Sequence, residues 1–143
     1  MAHSQSDAIE VKHIPRKGRG VFARRAIHEG ELIERVPVIL LPIEDVQDQE
    51  TWRDLACYCF LWKEGTVALA LGYGSLYNHS YEPNARYDDV GRSTKVYTAI
   101  RDIAAGEEIT VNYNGDPDDR APVGFRVVEN TPPAVKVGPV LGR

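Results

Sequence analysis

The two stretches that most constrain this chain are YNHSYEPNARY, at residues 77–87, and GEEITVNY, at residues 106–113. The first is a poor strand and a poor helix, because small polar residues and a proline interrupt any apolar period. The second reads as a short strand that ends on Tyr113. Together they predict a polar, irregular segment that packs against a strand ending in a buried tyrosine.

The composition is that of one ordinary soluble domain. The chain has 143 residues, of which 43% are apolar and 27% are charged, and a second hydrophobic core would not fit in this length. No apolar run approaches the roughly 20 residues of a membrane span. The first ten residues lack the basic region and apolar stretch of a secretory signal. We therefore expect a cytoplasmic protein, or one in a host-cell nucleus if it is viral or a secreted effector.

Charge gives a weak indication of the partner. The formal net charge of −4 argues against a nucleic-acid surface, because such surfaces neutralise phosphates with lysine and arginine. Acidic residues recur in short groups that would attract a basic peptide. These groups are Glu44, Asp45, Asp48 and Glu50; Asp88 and Asp89; and Asp116, Asp118 and Asp119. A solvated loop is the plainer interpretation of any one group.

Short strand-like segments separated by turn residues predict a mostly β fold of several small sheets. The predicted strands are 9–13, 20–23, 32–36, 57–62, 66–71, 84–88, 94–100 and 109–112. Residues 88–91 are predicted to form a hairpin turn, and residues 44–55 are the one helical candidate. We assign residues 1–115 to one domain with its core at 8–115. Residues 116–143 form a tail that is expected to dock around Phe125 and to be mobile over about its last dozen residues.

Two short polar motifs could bind a ligand. In Lys17-Gly18-Arg19-Gly20 the two glycines would let a ligand approach bare backbone, which can hold a charged amino-acid group. A plain β-turn explains the same residues. Asn78 and His79 offer donors and acceptors that could fix an adenine edge and an ammonium group, although a histidine in an irregular segment is more often structural.

Three tyrosines in predicted strands are candidates for a role beyond packing: Tyr113, Tyr87 and Tyr58. Aromatic residues in strands usually belong to the core. Seven tyrosines against three phenylalanines nevertheless indicate that hydroxyl groups are used.

No metal site is expected. Cys57 and Cys59 form a single Cys-x-Cys pair, which lacks the four ligands of a structural zinc site. They read as small apolar thiols in the core. The other histidines have no ligand spacing to His79.

Taken together, RKGRGVFA at residues 16–23, the Asn-His motif and the strand ending in Tyr113 resemble the SET-domain protein lysine methyltransferases. The three motifs occur in the family's order and cover most of residues 8–115. The resemblance implies a mostly β fold of several small sheets with little helix, whose C-terminal segment threads through a loop near the Asn-His motif as a pseudoknot. The chain is similar to the minimal standalone members of bacteria and viruses, some of which are homodimers.

The resemblance also implies a role for each motif residue. S-adenosylmethionine would be bound, and S-adenosylhomocysteine released, by Lys17, Gly18, Arg19, Gly20, Tyr77, Asn78 and His79, with Phe125 as a candidate cover for the adenine. Tyr113 would be the catalytic residue. The channel for the substrate lysine would be lined by Tyr87, Tyr58 and Val111.

The function implied is methylation of a lysine-containing protein, histone-like or ribosomal, without a nucleic-acid or membrane partner. Two departures from the family pattern favour an alternative, a non-catalytic SET-like binding module that keeps the cofactor pocket. Tyr81 stands where the family usually has cysteine, and Val36-Pro37-Val38 replaces a common Tyr-x-Gly-Glu segment. The presence of every chemically important motif residue, including Tyr113, favours the enzyme.

Overall fold

The computed structural model describes residues 2–15, 18–46 and 53–123, in which nine strands form two sheets. In chain order the strands are β1 (Ile9–Ile14), β2 (Gly18–Ala23), β3 (Leu32–Pro42), β4 (Cys59–Leu61), β5 (Thr66–Ala70), β6 (Asn78–His79), β7 (Ala85–Val90), β8 (Thr94–Ala99) and β9 (Glu108–Val111). Helix in these ranges is confined to a 3-10 turn at Ile43–Asp45 and a single α-helical turn, α1, at Arg53–Ala56. Neither described helix is long and apolar enough to cross a membrane.

The first sheet has the last of the described strands, β9, in its interior. Its order is β1-β2-β9-β6, with β2 antiparallel to β9 and β6 parallel to it. In β9, Ile109 and Val111 are fully buried and alternate with more exposed residues, which is the pattern of a strand with one face in the core. The two residues of β6, Asn78 and His79, pair with the second half of β9, shortly before Tyr113.

The second sheet is antiparallel and has the order β4-β5-β3-β8-β7. A hairpin joins β7 to β8, and alternate cross-strand pairs of this hairpin share one face. These pairs are Ala85–Ala99, Tyr87–Tyr97 and Asp89–Lys95. All three residues on β8 are buried, so this face is the inner one. Toward the hairpin turn, the side-chain pairs on this face change from alanine to tyrosine and then to the charged pair Asp89–Lys95.

Three tyrosines are the largest fully buried side chains of the described residues. They are Tyr77, Tyr97 and Tyr113. Each hydroxyl donates a hydrogen bond, Tyr77 to Glu34, Tyr97 to the Gly74 carbonyl and Tyr113 to the Tyr77 carbonyl. A buried phenol is costly unless its hydroxyl finds a partner, so these bonds account for tyrosine at positions where phenylalanine would otherwise suffice.

The expectation of a mostly β fold with several small sheets and little helix is confirmed. The sequence does not predict β6, because a two-residue strand is too short to show a period. The hairpin turn lies at residues 91–93 rather than 88–91, because Asp88 and Asp89 still pair with β8. The helix predicted for 44–55 is present at its end, as α1, and is replaced at its start by the 3-10 turn. Three parts of the predictions lie outside the described residues. They are the middle of the predicted helix, Lys17, and the tail from residue 124 on, which includes Phe125.

Candidate active site

Asn78 ties three strands of the first sheet together. Its side-chain nitrogen donates to the backbone carbonyl of Arg19 at 2.9 Å and to Oε2 of Glu108 at 2.6 Å. Arg19 lies on β2, Glu108 begins β9, and Asn78 itself is buried in β6. An asparagine amide has two N–H donors, and both acceptors here come from neighbouring strands, so the side chain fixes the spacing of β2, β9 and β6.

Gly20 is a position where a side chain would force its neighbours to move. A Cβ placed on Gly20 would lie 2.5 Å from Oε2 of Glu108 and 2.9 Å from Nδ2 of Asn78, closer than atoms pack. Gly18, two residues earlier, has a φ of +90°, a left-handed conformation that favours glycine. Gly18 and Arg19 are exposed. These two exposed residues at the start of β2 therefore lie next to a buried amide and a carboxylate.

His79 and Tyr113 form the centre of the site. The backbone N–H of Tyr113 donates to Nδ1 of His79 at 2.9 Å, so Nδ1 is the acceptor nitrogen of the imidazole. The Tyr113 hydroxyl donates to the Tyr77 carbonyl at 2.7 Å, and 2% of the residue is exposed. Tyr113 is therefore held at both ends, its backbone by His79 and its phenol by the residue that precedes Asn78.

Glu34 and Tyr97 hold the side chain of Tyr77 in place. Oε1 of Glu34 accepts from the Tyr77 hydroxyl at 2.8 Å, and Oε2 accepts from the backbone N–H of Tyr73 at 2.9 Å. Burial raises the pKa of the Glu34 carboxyl, although these hydrogen bonds oppose the effect. The Tyr77 ring stacks on Tyr97 at 4.4 Å between centroids. The residue whose carbonyl orients Tyr113 is thus itself fixed by a buried carboxyl and an aromatic stack.

Tyr87 forms the wall on the other side of Tyr113. Its hydroxyl donates to the Tyr113 carbonyl at 3.2 Å, and its ring meets the edge of Phe60 at 5.1 Å between centroids. Tyr87 also borders an open cavity of about 350 Å³, whose other lining residues are Arg86, Asp88, Asp89, Gly115, Asp116 and Pro117. A polypeptide lying in this cavity would pass the half-buried ring of Tyr87.

A buried lysine lies behind Tyr87. Nζ of Lys95 is 4.4 Å from the ring centroids of both Phe60 and Tyr87 and 5.3 Å from that of Trp62. The Lys95 side chain is 1% exposed and its Nζ is paired with Asp89 at 2.5 Å. Ammonium groups are attracted to aromatic faces, so the three rings and the carboxylate together stabilise a charge that burial alone would disfavour.

The structure brings most of the predicted site residues together. Gly20, Asn78, His79, Tyr77 and Tyr113 are linked by the contacts described above. Val111 is fully buried in β9 and lies opposite His79. In all, the residues joined around Tyr113 are Arg19, Gly20, Tyr77, Asn78, His79, Tyr87 and Val111, and Gly18 precedes Arg19 on β2.

Tyr58 is the exception among the described candidates. It is half-buried at the end of α1, where its N–H donates to the Leu55 carbonyl. Among the described residues, no hydrogen bond or ring contact joins Tyr58 to Tyr87 or Tyr113. Phe60 packs against Tyr87 instead, because the strand predicted for 57–62 begins only at Cys59 and Tyr58 lies in the turn that follows α1.

Tyr81, the residue that replaces the family's cysteine, covers His79. Its ring stands edge-on to the imidazole at 4.4 Å between centroids, and its hydroxyl donates to the Ala121 carbonyl at 2.9 Å. The chain that follows β9 therefore folds back over the Asn-His segment, and Asn112 holds it there by donating to the Asp119 carbonyl at 2.6 Å. The extra bulk of Tyr81 serves as a contact for this returning segment.

Sequence reasoning missed four residues that shape the site: Glu34, Phe60, Lys95 and Glu108. Glu108 carried a signal, because it directly precedes the alternating residues of β9 and points at β2. Lys95, Tyr97 and Ala99 are spaced two residues apart on β8 and share its buried face. Once Tyr97 is placed in the core, the two-residue period of a strand predicts that Lys95 also points inward. Phe60 and Glu34 show no signal beyond strand propensity, since their roles depend on which elements pack together.

Comparison with known proteins agrees with this geometry. A model of the SET domain family matches residues 18–114. The "Histone-lysine N-methyltransferase, H3 lysine-37 specific" of Schizosaccharomyces pombe is 34% identical over 126 residues, which cover 85% of this chain and 85% of that protein. Human histone-lysine N-methyltransferase 2B is 31% identical over 119 residues, covering 77% of this chain and 4% of that protein. The crystal structure of a Plasmodium falciparum protein described as a histone methyltransferase has a TM-score of 0.62 at 28% identity, over 77% of this chain and 94% of the other.

Proposed function

The chain belongs to the SET-domain family of protein-lysine methyltransferases, and from that premise we propose that it methylates a lysine of a basic protein with S-adenosylmethionine. The observation that carries this proposal is the position of Tyr113. His79 accepts from the backbone N–H of Tyr113 and the Tyr87 hydroxyl donates to its carbonyl, so we take the Asn78–His79 segment and the Tyr87 ring as the two sides of the site. Two ligands that approach from those sides would meet at the Tyr113 hydroxyl.

The residues around Gly20 fit the cofactor that SET-domain methyltransferases use. A side chain at position 20 would collide with Asn78 and Glu108, so glycine keeps the backbone close to these two groups, and the exposed backbone at Gly18 can hold the polar ends of an amino acid. We assign the binding of S-adenosylmethionine to Gly18, Arg19, Gly20, Tyr77, Asn78 and His79. When bound, this cofactor supplies a methyl group on a positively charged sulfur.

The residues on the other side act on the substrate lysine. A lysine in water has a pKa of about 10.4, so at neutral pH it carries a proton where it needs a lone pair. Removal from water in a narrow channel and the nearby positive sulfur of the cofactor would both disfavour the charged form. A phenol can accept a hydrogen bond while it donates one, so the Tyr113 hydroxyl would accept an N–H of the amine and aim its lone pair. Positioning of the amine is then the main contribution of the protein to the rate.

The hydroxyl of Tyr87 would limit how many methyl groups are added. It donates to the Tyr113 carbonyl and so occupies space at the inner end of the lysine channel. A trimethylated amine is the bulkiest product. We therefore propose that mono- and dimethyl-lysine are the main products.

The acidic lining of the cavity beside Tyr87 supports a basic substrate. Three carboxylates, those of Asp88, Asp89 and Asp116, border this cavity with one cation, Arg86, and the formal charge of the chain is −4. A relative that is similar over most of its length is specific for lysine 37 of histone H3. Histone H3 is therefore the first substrate to test, and ribosomal proteins are the second. We also propose a cytoplasmic location and a homodimer.

The test is transfer of labelled methyl from S-adenosylmethionine to purified core histones and to proteins of a whole lysate. Wild type is compared with Tyr113→Phe and with Tyr73→Phe. Tyr73 is the matched control, because its hydroxyl contacts the exposed Gln5. We expect label with wild type and with Tyr73→Phe, and little label with Tyr113→Phe.

Cofactor binding separates the other outcomes. If wild type binds S-adenosylmethionine in calorimetry but labels no protein, the chain is the non-catalytic binding module and the proposal is wrong. If it neither binds nor labels, the chain shares the fold of the family without its chemistry.

A further inference from the structure

The buried Lys95 takes no part in the chemistry described above. Its side chain is 1% exposed, whereas that of its partner Asp89 is 42% exposed. The pair therefore joins a charge inside the aromatic cluster of Phe60, Trp62 and Tyr87 to a carboxylate at the rim of the cavity.

Stability does not explain why a lysine occupies this position. Removing an ammonium from water offsets most of what a buried ion pair gains, and an apolar pair of similar volume is often as stable or more stable. The cross-strand neighbour of Lys95 on β3 is Val36, and its other contacts on β4 and after it are rings. An apolar residue would suit such surroundings.

The charges that face the cavity suggest what the lysine does. Asp88 is paired with Arg86 at 2.9 Å, and Asp89 is paired with Lys95. Asp116 completes the acidic lining. Without Lys95, the carboxylate of Asp89 would stand uncompensated at the edge of the ring that forms the channel wall.

We propose that Lys95 neutralises Asp89 beside the lysine channel, so that the entering substrate lysine is not held there as an ammonium. This inference rests on the proposed function, because it takes Tyr87 as a wall of that channel. A nearby uncompensated carboxylate raises the pKa of an amine. The substrate amine must give one proton to water before its lone pair can react, and Lys95 keeps that step accessible at ordinary pH.

The test combines three variants with a lysine peptide. They are Lys95→Met, which keeps an unbranched apolar stem and removes the charge, Asp89→Asn, and the double variant. The probe is a histone H3 peptide centred on lysine 37, or a peptide around whichever lysine wild type labels. We expect the pH profile of kcat/KM to move up by about one unit in Lys95→Met, down in Asp89→Asn, and back to the wild-type position in the double variant.

A second readout does not depend on turnover. At pH 7 the preference for the lysine peptide over the same peptide with norleucine, measured by calorimetry, should rise about tenfold in Lys95→Met. It should return to the wild-type value in the double variant. Arg25→Met removes one charge from the exposed Arg25–Glu31 pair and serves as the control that changes neither readout.

Several results would overturn the inference. If Lys95→Met loses activity with an unmoved pH profile and an unchanged lysine preference, Lys95 only supports the fold. If Lys95→Met does not fold, the comparison of Asp89→Asn with the double variant decides, because identical profiles for those two contradict the charge account. If the wild type labels no peptide or protein, the proposed function is wrong. The norleucine comparison then still tests, by itself, whether Lys95 neutralises Asp89.

Discussion

The two sides of Tyr113 are built from different materials. On the β2 side, bare glycine backbone, an amide and a carboxylate are fixed by short hydrogen bonds. On the β7 side, Phe60, Trp62 and Tyr87 surround a buried ammonium. The first side depends on direct hydrogen bonds between particular atoms, and the second depends on the volume and charge of side chains from separate elements.

This difference determines which changes each side can tolerate. Hydrogen bonds require donors and acceptors within a few tenths of an ångström, so one methyl group can break the polar side. Aromatic packing adapts more easily, and its loss is graded with the volume removed. The polar side should therefore fail abruptly on substitution, whereas the aromatic side should weaken stepwise.

The largest expected effect comes from Gly20→Ala, which breaks the polar side. The new Cβ would displace the carboxylate of Glu108 and the amide of Asn78, which lie 2.5 and 2.9 Å from its position. We expect the Kd of S-adenosylmethionine, measured by calorimetry, to rise about 100-fold, which is about 2.7 kcal/mol. Gly91→Ala is the control, because it has a positive φ in open space and should affect stability alone. An unchanged Kd in Gly20→Ala would contradict the placement of the cofactor.

Phe60→Leu tests the aromatic side. The variant loses the edge contact with Tyr87 and the ring beneath the Lys95 ammonium, for a cost of about 2 kcal/mol in the free energy of unfolding. Urea unfolding measures this cost, and the Kd of the cofactor should not change. Phe22→Leu is the matched control, since its cation contact with Lys12 is near the surface and should contribute less than about 1 kcal/mol. Equal losses in the two variants would mean that the ring behind Tyr87 has no special role.

Glu34→Gln tests the support beneath Tyr77. The amide can accept from only one of the two donors, the Tyr77 hydroxyl and the Tyr73 N–H, which costs about 1 kcal/mol at neutral pH. Because burial raises the folded-state pKa of Glu34, its contribution to stability is complete below the unfolded value and is lost as pH rises through the folded value. Wild type should therefore gain stability over Glu34→Gln as the pH is lowered toward 4. A difference between the two unfolding curves that does not change with pH would contradict this.

Tyr87→Phe should have the smallest energetic effect and should change the product. It removes one hydrogen bond to the Tyr113 carbonyl, worth about 0.5–1 kcal/mol, and frees space at the end of the channel. Mass spectrometry of the methylated peptide should show more trimethyl-lysine than wild type produces. Trimethyl-lysine as the main product of wild type would show that the Tyr87 hydroxyl does not limit methylation.

Most residues of the polar side are predictable from the sequence, whereas the aromatic side is predictable only in part. Asn78, His79 and Tyr113 are recognisable because their hydrogen bonds join neighbouring segments through backbone groups, which demands fixed residue types at fixed spacing. Phe60 and Lys95 come together only when β4 packs against the β7–β8 hairpin. Any large ring would satisfy that packing, so the sequence does not distinguish Phe60 from Tyr58.

The central claim is that the two sides meet at the Tyr113 hydroxyl, and a single-turnover measurement tests it most directly. Cofactor and peptide are mixed at saturating enzyme, and methyl transfer is timed for wild type and Tyr113→Phe. We predict a rate at least about 100-fold lower in Tyr113→Phe, with the Kd values of cofactor and peptide within about threefold of wild type. A rate within about threefold of wild type would contradict the claim, because the hydroxyl would then have no part in the transfer.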